Sequence, residues 1–290
     1  MKYKKHIATI FALLFMTSVH SQPVEQLYVV SPYEGAAVTT APNGGGLMII
    51  DSSTGYIQSA IDLTYNGVLV EGANGMAVDP TDQTVYIIFK DSTNFPSSRP
   101  LGTLNVTTGE ITLVGDTGEN VAGITFDNTG QMYAVAGDGG VNPETLFSVD
   151  KTTGLLTSIV VLGDGTDGES IAFNPSNGLI YTRSGRDTAP SFYSIDPNNP
   201  VPNQIGIAGT PLDETFGFIY DAANSRFLEV NLDGQLVAID PVDGTQTLLS
   251  DYTNGGFAGN RYYRAPMFYT NTDLIFRNGV EENVFIPPAP

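Results

Sequence analysis

Asp150-Lys151-Thr152-Thr153-Gly154, read as DKTTG, is the stretch that decides how this chain folds, because near copies of it return at an even spacing. DSSTG stands at 51–55, NVTTG at 105–109 and DPVDG at 240–244, with a degenerate DPNNP at 196–200. The copies end at 55, 109, 154, 200 and 244, so the intervals are 54, 45, 46 and 44 residues. In each, an Asp or Asn side chain can hydrogen-bond to backbone two residues on, and the closing Gly can take a positive φ. Working outward, short apolar or alternating runs precede each copy: Leu47 to Ile50, Leu101 to Leu104, Leu146 to Val149, Phe192 to Ile195 and Leu236 to Ile239. Further strand-like runs follow at 57–63, 111–114, 155–162 and 247–249. Two such runs around a tight polar turn predict a β-hairpin.

A second pattern lies between the hairpins: GMAVDP at 75–80, GITFDN at 123–128, SIAFNP at 170–175 and GFIYDA at 217–222. Each leads into another apolar run, at 85–89, 132–136, 179–182 and 227–230. The unit therefore holds four strands and two tight turns in about 45 residues, with no stretch at helical spacing, which predicts a β-propeller blade. Tyr86, Tyr133, Tyr181 and Phe227 recur at one position of the unit, so their period assigns them to the core.

The order of these patterns resembles WD40-like and YVTN-like propeller repeats of bacterial secreted proteins. The residues that carry the resemblance are Ala77, Val78, Asp79 and Pro80, then Tyr86, and the hairpin Ile50, Asp51, Thr54 and Gly55. The resemblance implies an all-β propeller of four-stranded antiparallel blades over residues 22–290. It also implies that loops entering the innermost strands share one face with loops between second and third strands. Binding, scaffolding and catalysis all occur on this architecture. The Trp motifs of quinone-cofactor propellers are absent, since the chain has no Trp.

Innermost strands are expected to start near Gly75, Gly123, Ser170, Gly217 and Phe257. Leu27, Tyr28, Val29 and Val30 match a second strand, so its blade needs a first strand from elsewhere. The C-terminal Asn283, Val284, Phe285 and Ile286 are the candidate, closing the ring and covering an open edge. This reckoning predicts six blades, with five and seven as the neighbouring counts.

At the N-terminus Lys2, Lys4 and Lys5 precede the apolar residues 7–16 and then Thr17, Ser18 and Ser21. That is the pattern of a signal peptide, expected over 1–21, and the apolar run is too short to span a bilayer. The chain has no Cys, so no disulfide and no cysteine-linked lipid is expected, and a secreted or periplasmic location follows. Hydrophobic residues make up 41% of the chain, enough for a packed core rather than disorder. The net charge is −19, which repels nucleic acid and anionic membranes, so neither is an expected partner. The only two histidines, His6 and His20, lie in the expected leader. The exported portion then lacks imidazole, thiol and indole, which removes Ser/His/Asp and Cys/His catalysis and zinc sites built on His or Cys.

Carboxylates and arginines remain. On the face implied by the resemblance, entering loops carry Glu71, Asp116 with Glu119, Asp164 with Asp167 and Glu169, and Asp213 with Glu214. The longest insertions, 31–45 and 90–100, fall on the same face, beside 138–145 and 184–190. Glu71, Glu119, Glu169 and Glu214, with Arg183 and Arg186, are the ligand-binding candidates. Lys90, Arg99, Arg261 and Arg264 belong to the same region. Arginines there can clamp an anionic ligand, or they can pair with neighbouring acids. The turn GDGTDGE at 163–169 offers Asp164, Asp167 and Glu169 as oxygen ligands that could hold Ca²⁺, and a solvated acidic turn explains the same residues equally well. Tyr33, Phe95, Tyr262 and Tyr263 lie in loops and can stack on a sugar or a peptide. Three functions fit: a binding or scaffold module for protein or peptide, a carboxylate-dependent hydrolase (a Ca²⁺-assisted lactonase or a glycosidase), and a glycan-binding adhesion protein.

Overall fold

The computed structural model describes residues 25–30, 45–137, 139–162, 170–184, 191–205, 215–231, 235–251 and 264–270. They form 22 strands and no helix. The first sheet contains β1 (Gln26–Val30), β2 (Gly46–Ile50) and β3 (Ile57–Asp62). The small hairpin β4 (Thr64–Tyr65) and β5 (Val68–Leu69) follows. The second blade is β6 (Gly72–Val78), β7 (Val85–Lys90), β8 (Pro100–Leu104) and β9 (Glu110–Asp116). The third is β10 (Val121–Phe126), β11 (Met132–Ala136), β12 (Thr145–Val149) and β13 (Leu156–Val161). The fourth is β14 (Ser170–Asn174), β15 (Leu179–Ser184), β16 (Ser191–Asp196) and β17 (Asn199–Gln204). The fifth is β18 (Thr215–Asp221), β19 (Arg226–Asn231), β20 (Gln235–Ile239) and β21 (Gln246–Asp251). The last strand, β22 (Arg264–Tyr269), returns to the first sheet, whose order is β22-β1-β2-β3.

The repeated pentapeptides are the β2–β3, β8–β9, β12–β13 and β20–β21 hairpins. Asp51 Oδ1 accepts from the Ser53 and Thr54 amides at 2.8 and 2.9 Å, and Gly55 sits at φ 72°. Asp150 and Asp240 cap their turns in the same way, at 2.9 Å from the Thr152 amide and 2.7 Å from the Val242 amide. The longer first interval contains β4–β5, whose Thr64 and Tyr65 pair in parallel with Glu110 and Ile111 of β9, and the long 91–99 connection between β7 and β8. This hairpin covers the outer edge of the second blade, an edge that would otherwise present unpaired backbone groups.

There are five blades among the described residues, not the six expected. The strand anticipated near Phe257 is β22, beginning at Arg264, and it founds no new blade. Instead it pairs antiparallel with β1, Leu27 opposite Phe268 and Tyr28 opposite Met267. It thus takes the place expected for Asn283 to Ile286, residues that lie outside those described. The miscount has a plain cause: the strand near Phe257 was expected to open a sixth blade and a separate one, 283–286, to complete the first, whereas the strand at Arg264–Tyr269 completes the first blade itself.

The core is divided into five apolar clusters, each shared by two neighbouring blades. Tyr28, Leu47, Ile87 and Phe89 join the first blade to the second, and Ile88, Leu101, Ile124 and Met132 join the second to the third. Val135, Leu146, Ile171 and Ile180 continue to the fourth, and Tyr181, Phe192, Phe218 and Phe227 to the fifth. Leu228, Val230 and Leu236 then pack on Leu27, Val29 and Met48 of the first. The recurring aromatics Tyr86, Tyr133, Tyr181 and Phe227 are all buried. Innermost strands crowd closely, which accounts for a small residue in the first half of each: Gly75, Gly123, Ser170, Gly217 and, in the first blade, Ala265. A Cβ on Gly217 would stand 2.7 Å from the Ala265 amide nitrogen.

Candidate functional site

Each sheet ends on its innermost strand, so β6, β10, β14, β18 and β22 turn one backbone edge away from their own blade and toward the axis. Neighbouring innermost strands adjoin one another around that axis. Between them lies a cavity of about 230 Å³ lined by residues of all five. Its wall combines apolar side chains such as Met76, Ile124, Ile171, Phe218 and Met267 with backbone edges able to donate and accept. One such edge group is engaged across blades, the Phe173 amide donating to Thr125 Oγ1 at 3.1 Å. Phe126, Phe173, Tyr220 and Phe268 ring the end of the cavity where these strands run out, beside Pro80, Asn128 and Pro175.

Thr125, Asp127, Asn128 and Ser170 also line the wall, and Asn74 differs from them in having a buried side-chain nitrogen without a protein partner. The β6–β7 register slips between Ala73 and Gly75, so Asn74 has no residue opposite it on β7. Such a bulge re-aims a side chain. Asn74 is only 4% exposed, and its Nδ2 has no hydrogen-bond partner in the protein. The corresponding bulge residue of the third blade is Ala122, so the blade geometry itself does not require a polar group there.

The two described acids among the sequence candidates, Glu71 and Glu119, do not line this cavity. Glu71 accepts from the Ser92 amide at 2.9 Å and the Ser92 hydroxyl at 2.8 Å, and pairs with Lys90 at 3.0 Å. Partial burial pushes its pKa up, but the bonds from Ser92 and Lys90 outweigh that and hold it below the ordinary value. Glu119 is buried and accepts from the Val141 amide at 2.7 Å and the Asn142 amide at 3.0 Å. Both carboxylates therefore tie a long connection to the blade behind it, 91–99 for Glu71 and 137–144 for Glu119. Arg183 is buried in the wall between the fourth and fifth blades, where Nη1 stands 3.0 Å from Glu229 Oε2. The Gln246 side chain also faces its guanidinium. Glu169, Glu214 and Arg186, and the calcium candidates Asp164 and Asp167, lie outside the described residues.

Sequence reasoning passed over Glu229 and Asn74. Glu229 had a legible signal, a lone acid in the apolar run Phe227, Leu228, Val230. It is fully buried, and burial pushes its carboxyl up to about 7 against the opposing pull of Arg183. Asn74 directly precedes the GMAVDP pattern, a position whose significance depends on the bulge and not on composition.

No family model matches this chain, and no curated protein matches it in sequence. Solved structures do share its form. A chain of the nidogen/laminin complex superposes with a TM-score of 0.55 at 15% identity, over 85% of this chain and 82% of that one. TolB from Acinetobacter baumannii gives a TM-score of 0.53 at 14% identity, over 84% of this chain and 66% of the TolB chain. At such identities the likeness speaks for the fold alone: an all-β propeller of four-stranded antiparallel blades.

Proposed function

We propose that the protein is an exported, non-catalytic propeller that binds a partner protein or peptide at its axial channel. The observation that carries this reading is the cavity of about 230 Å³ between five backbone edges. Sites for drug-sized ligands run to about 300–1,000 Å³. This cavity is smaller and suits a single side chain or a chain end presented by a larger partner. The leader-like residues 1–21 and the bacterial secreted resemblance of the repeats fit a periplasmic or extracellular setting. One of the structures with this fold comes from a complex of two proteins, nidogen and laminin. Glu71 and Glu119 serve as loop anchors, which favours binding over carboxylate-dependent hydrolysis. With a net charge of −19, encounter is fastest with a partner whose contact surface is basic.

The test is selection of displayed random peptides on the purified protein, followed by calorimetric titration of the selected sequences. Ala122, in the cavity wall, is then changed to Trp to fill the space. The reading expects at least about a tenfold loss of affinity with an unchanged melting temperature, equivalent to losing roughly 1.4 kcal/mol of binding. Selected peptides that bind Ala122→Trp as tightly as the parent would remove the channel from the account.

A further inference from the structure

We infer that Asn74 is the specificity-determining residue of the axial site and that it reads a neutral carboxamide, the side chain of a glutamine or asparagine on the bound peptide. The inference rests on the binding function proposed above and deepens it.

Three observations lead to it. A buried polar group without a partner costs free energy, and nearly all such groups in folded proteins are satisfied. Asn74 is such a group, with Nδ2 buried and without a protein partner. Secondly, nothing in the blade calls for it, because Ala122 holds the same bulge position in the third blade. Thirdly, the bulge falls at Asn74, and Asn74 lines the axial cavity, as the apolar Met76 and Ile124 also do.

The chemistry of the ligand follows from the chemistry of the amide. A primary amide offers donors on nitrogen and an acceptor on oxygen, and the group that matches both at once is another amide. A carboxylate would supply acceptors only, and it would enter a protein of net charge −19 with Asp127 also lining the cavity. An alkylammonium would supply donors only. The apolar residues of the wall, Met76, Ile124 and Ile171 among them, ask for an aliphatic body behind the polar tip, which the methylenes of a glutamine provide.

The experiment uses three fragments of one shape and different heads: isovaleramide, isovalerate and isoamylamine. Each is titrated into the ¹⁵N-labelled protein while the Asn74 side-chain NH₂ signals are followed, and the melting temperature of Asn74→Leu is recorded. Isovaleramide is expected to shift the Asn74 signals and to bind at least about tenfold more tightly than the other two, the worth of one well-made hydrogen bond. Asn74→Leu is expected to lose that preference without any fall in melting temperature, since it removes an unsatisfied group. The inference is overturned if isovaleramide leaves the Asn74 signals unmoved, if the acid or the amine binds as well, or if Asn74→Leu melts several degrees lower. Peptides that respond to Ala122→Trp and ignore Asn74→Leu would defeat this assignment while leaving the binding function standing. Peptides that ignore both would defeat the two together.

Discussion

Arg183 of the fourth blade and Glu229 of the fifth meet at 3.0 Å inside the wall between their blades, both buried. Burial raises the Glu229 carboxyl from 4.5 to about 7. An acid whose folded pKa is raised keeps its proton in the fold at pH values where the unfolded chain has released it. Stability from this group is therefore full below about pH 4.5, declines as pH climbs toward 7, and levels off above that. Denaturant titrations between pH 5 and 8 are expected to show this decline, and Glu229→Gln is expected to flatten it. An equal slope in protein and variant would remove Glu229 as its source.

Lys151, in the DKTTG turn of the third blade, reaches across to the fully buried Asp79 of the second. Burial pushes the Asp79 carboxyl up, but bonds from Lys151 and from Thr81 prevail and hold it below its ordinary value. Lys151→Met leaves that carboxylate without its cation, so a loss of about 2 kcal/mol in unfolding free energy is expected. Stability from a lowered acid is present above its unfolded pKa, so the deficit is expected to shrink below about pH 4.

Glu119 holds the 137–144 connection by accepting from the Val141 and Asn142 amides. Glu119→Ala is expected to speed hydrogen exchange at those two amides selectively, at a cost of about 2 kcal/mol in local opening. Exchange unchanged at Val141 and Asn142 would mean that the loop is held by something else.

Gly115 of the second blade lies under the third-blade hairpin, where an added Cβ would come within 1.9 Å of the Thr153 carbonyl oxygen. Backbone cannot yield as a flexible side chain does. Gly115→Ala is expected to lower unfolding free energy by about 1–3 kcal/mol, readable in a denaturant melt. A neutral result would show that the two blades stand further apart.

Ending the chain at residue 263 removes β22, the strand that pairs with β1 on the side away from β2. The shortened protein is expected to lose its cooperative thermal transition and to self-associate through the bared β1 edge. A monomer with a sharp transition would return the sixth-blade count to consideration.

Much of the architecture was legible without coordinates because it is written locally. A turn such as DKTTG needs only five consecutive residues, an Asp to cap it and a Gly to close it, and the strands on either side announce themselves by alternation. The four hairpins, four of the five innermost strands and the aromatic core positions follow from such short-range rules. What the tertiary structure alone decided involves residues far apart in the chain. Tyr28 finds Met267, which sets five blades where counting favoured six. Arg183 finds Glu229, which turns a supposed surface clamp into a buried pair. A one-residue slip between β6 and β7 places Asn74 in the axial wall. Pairing partners and register depend on how whole sheets pack around an axis, and no local run of side chains carries that information.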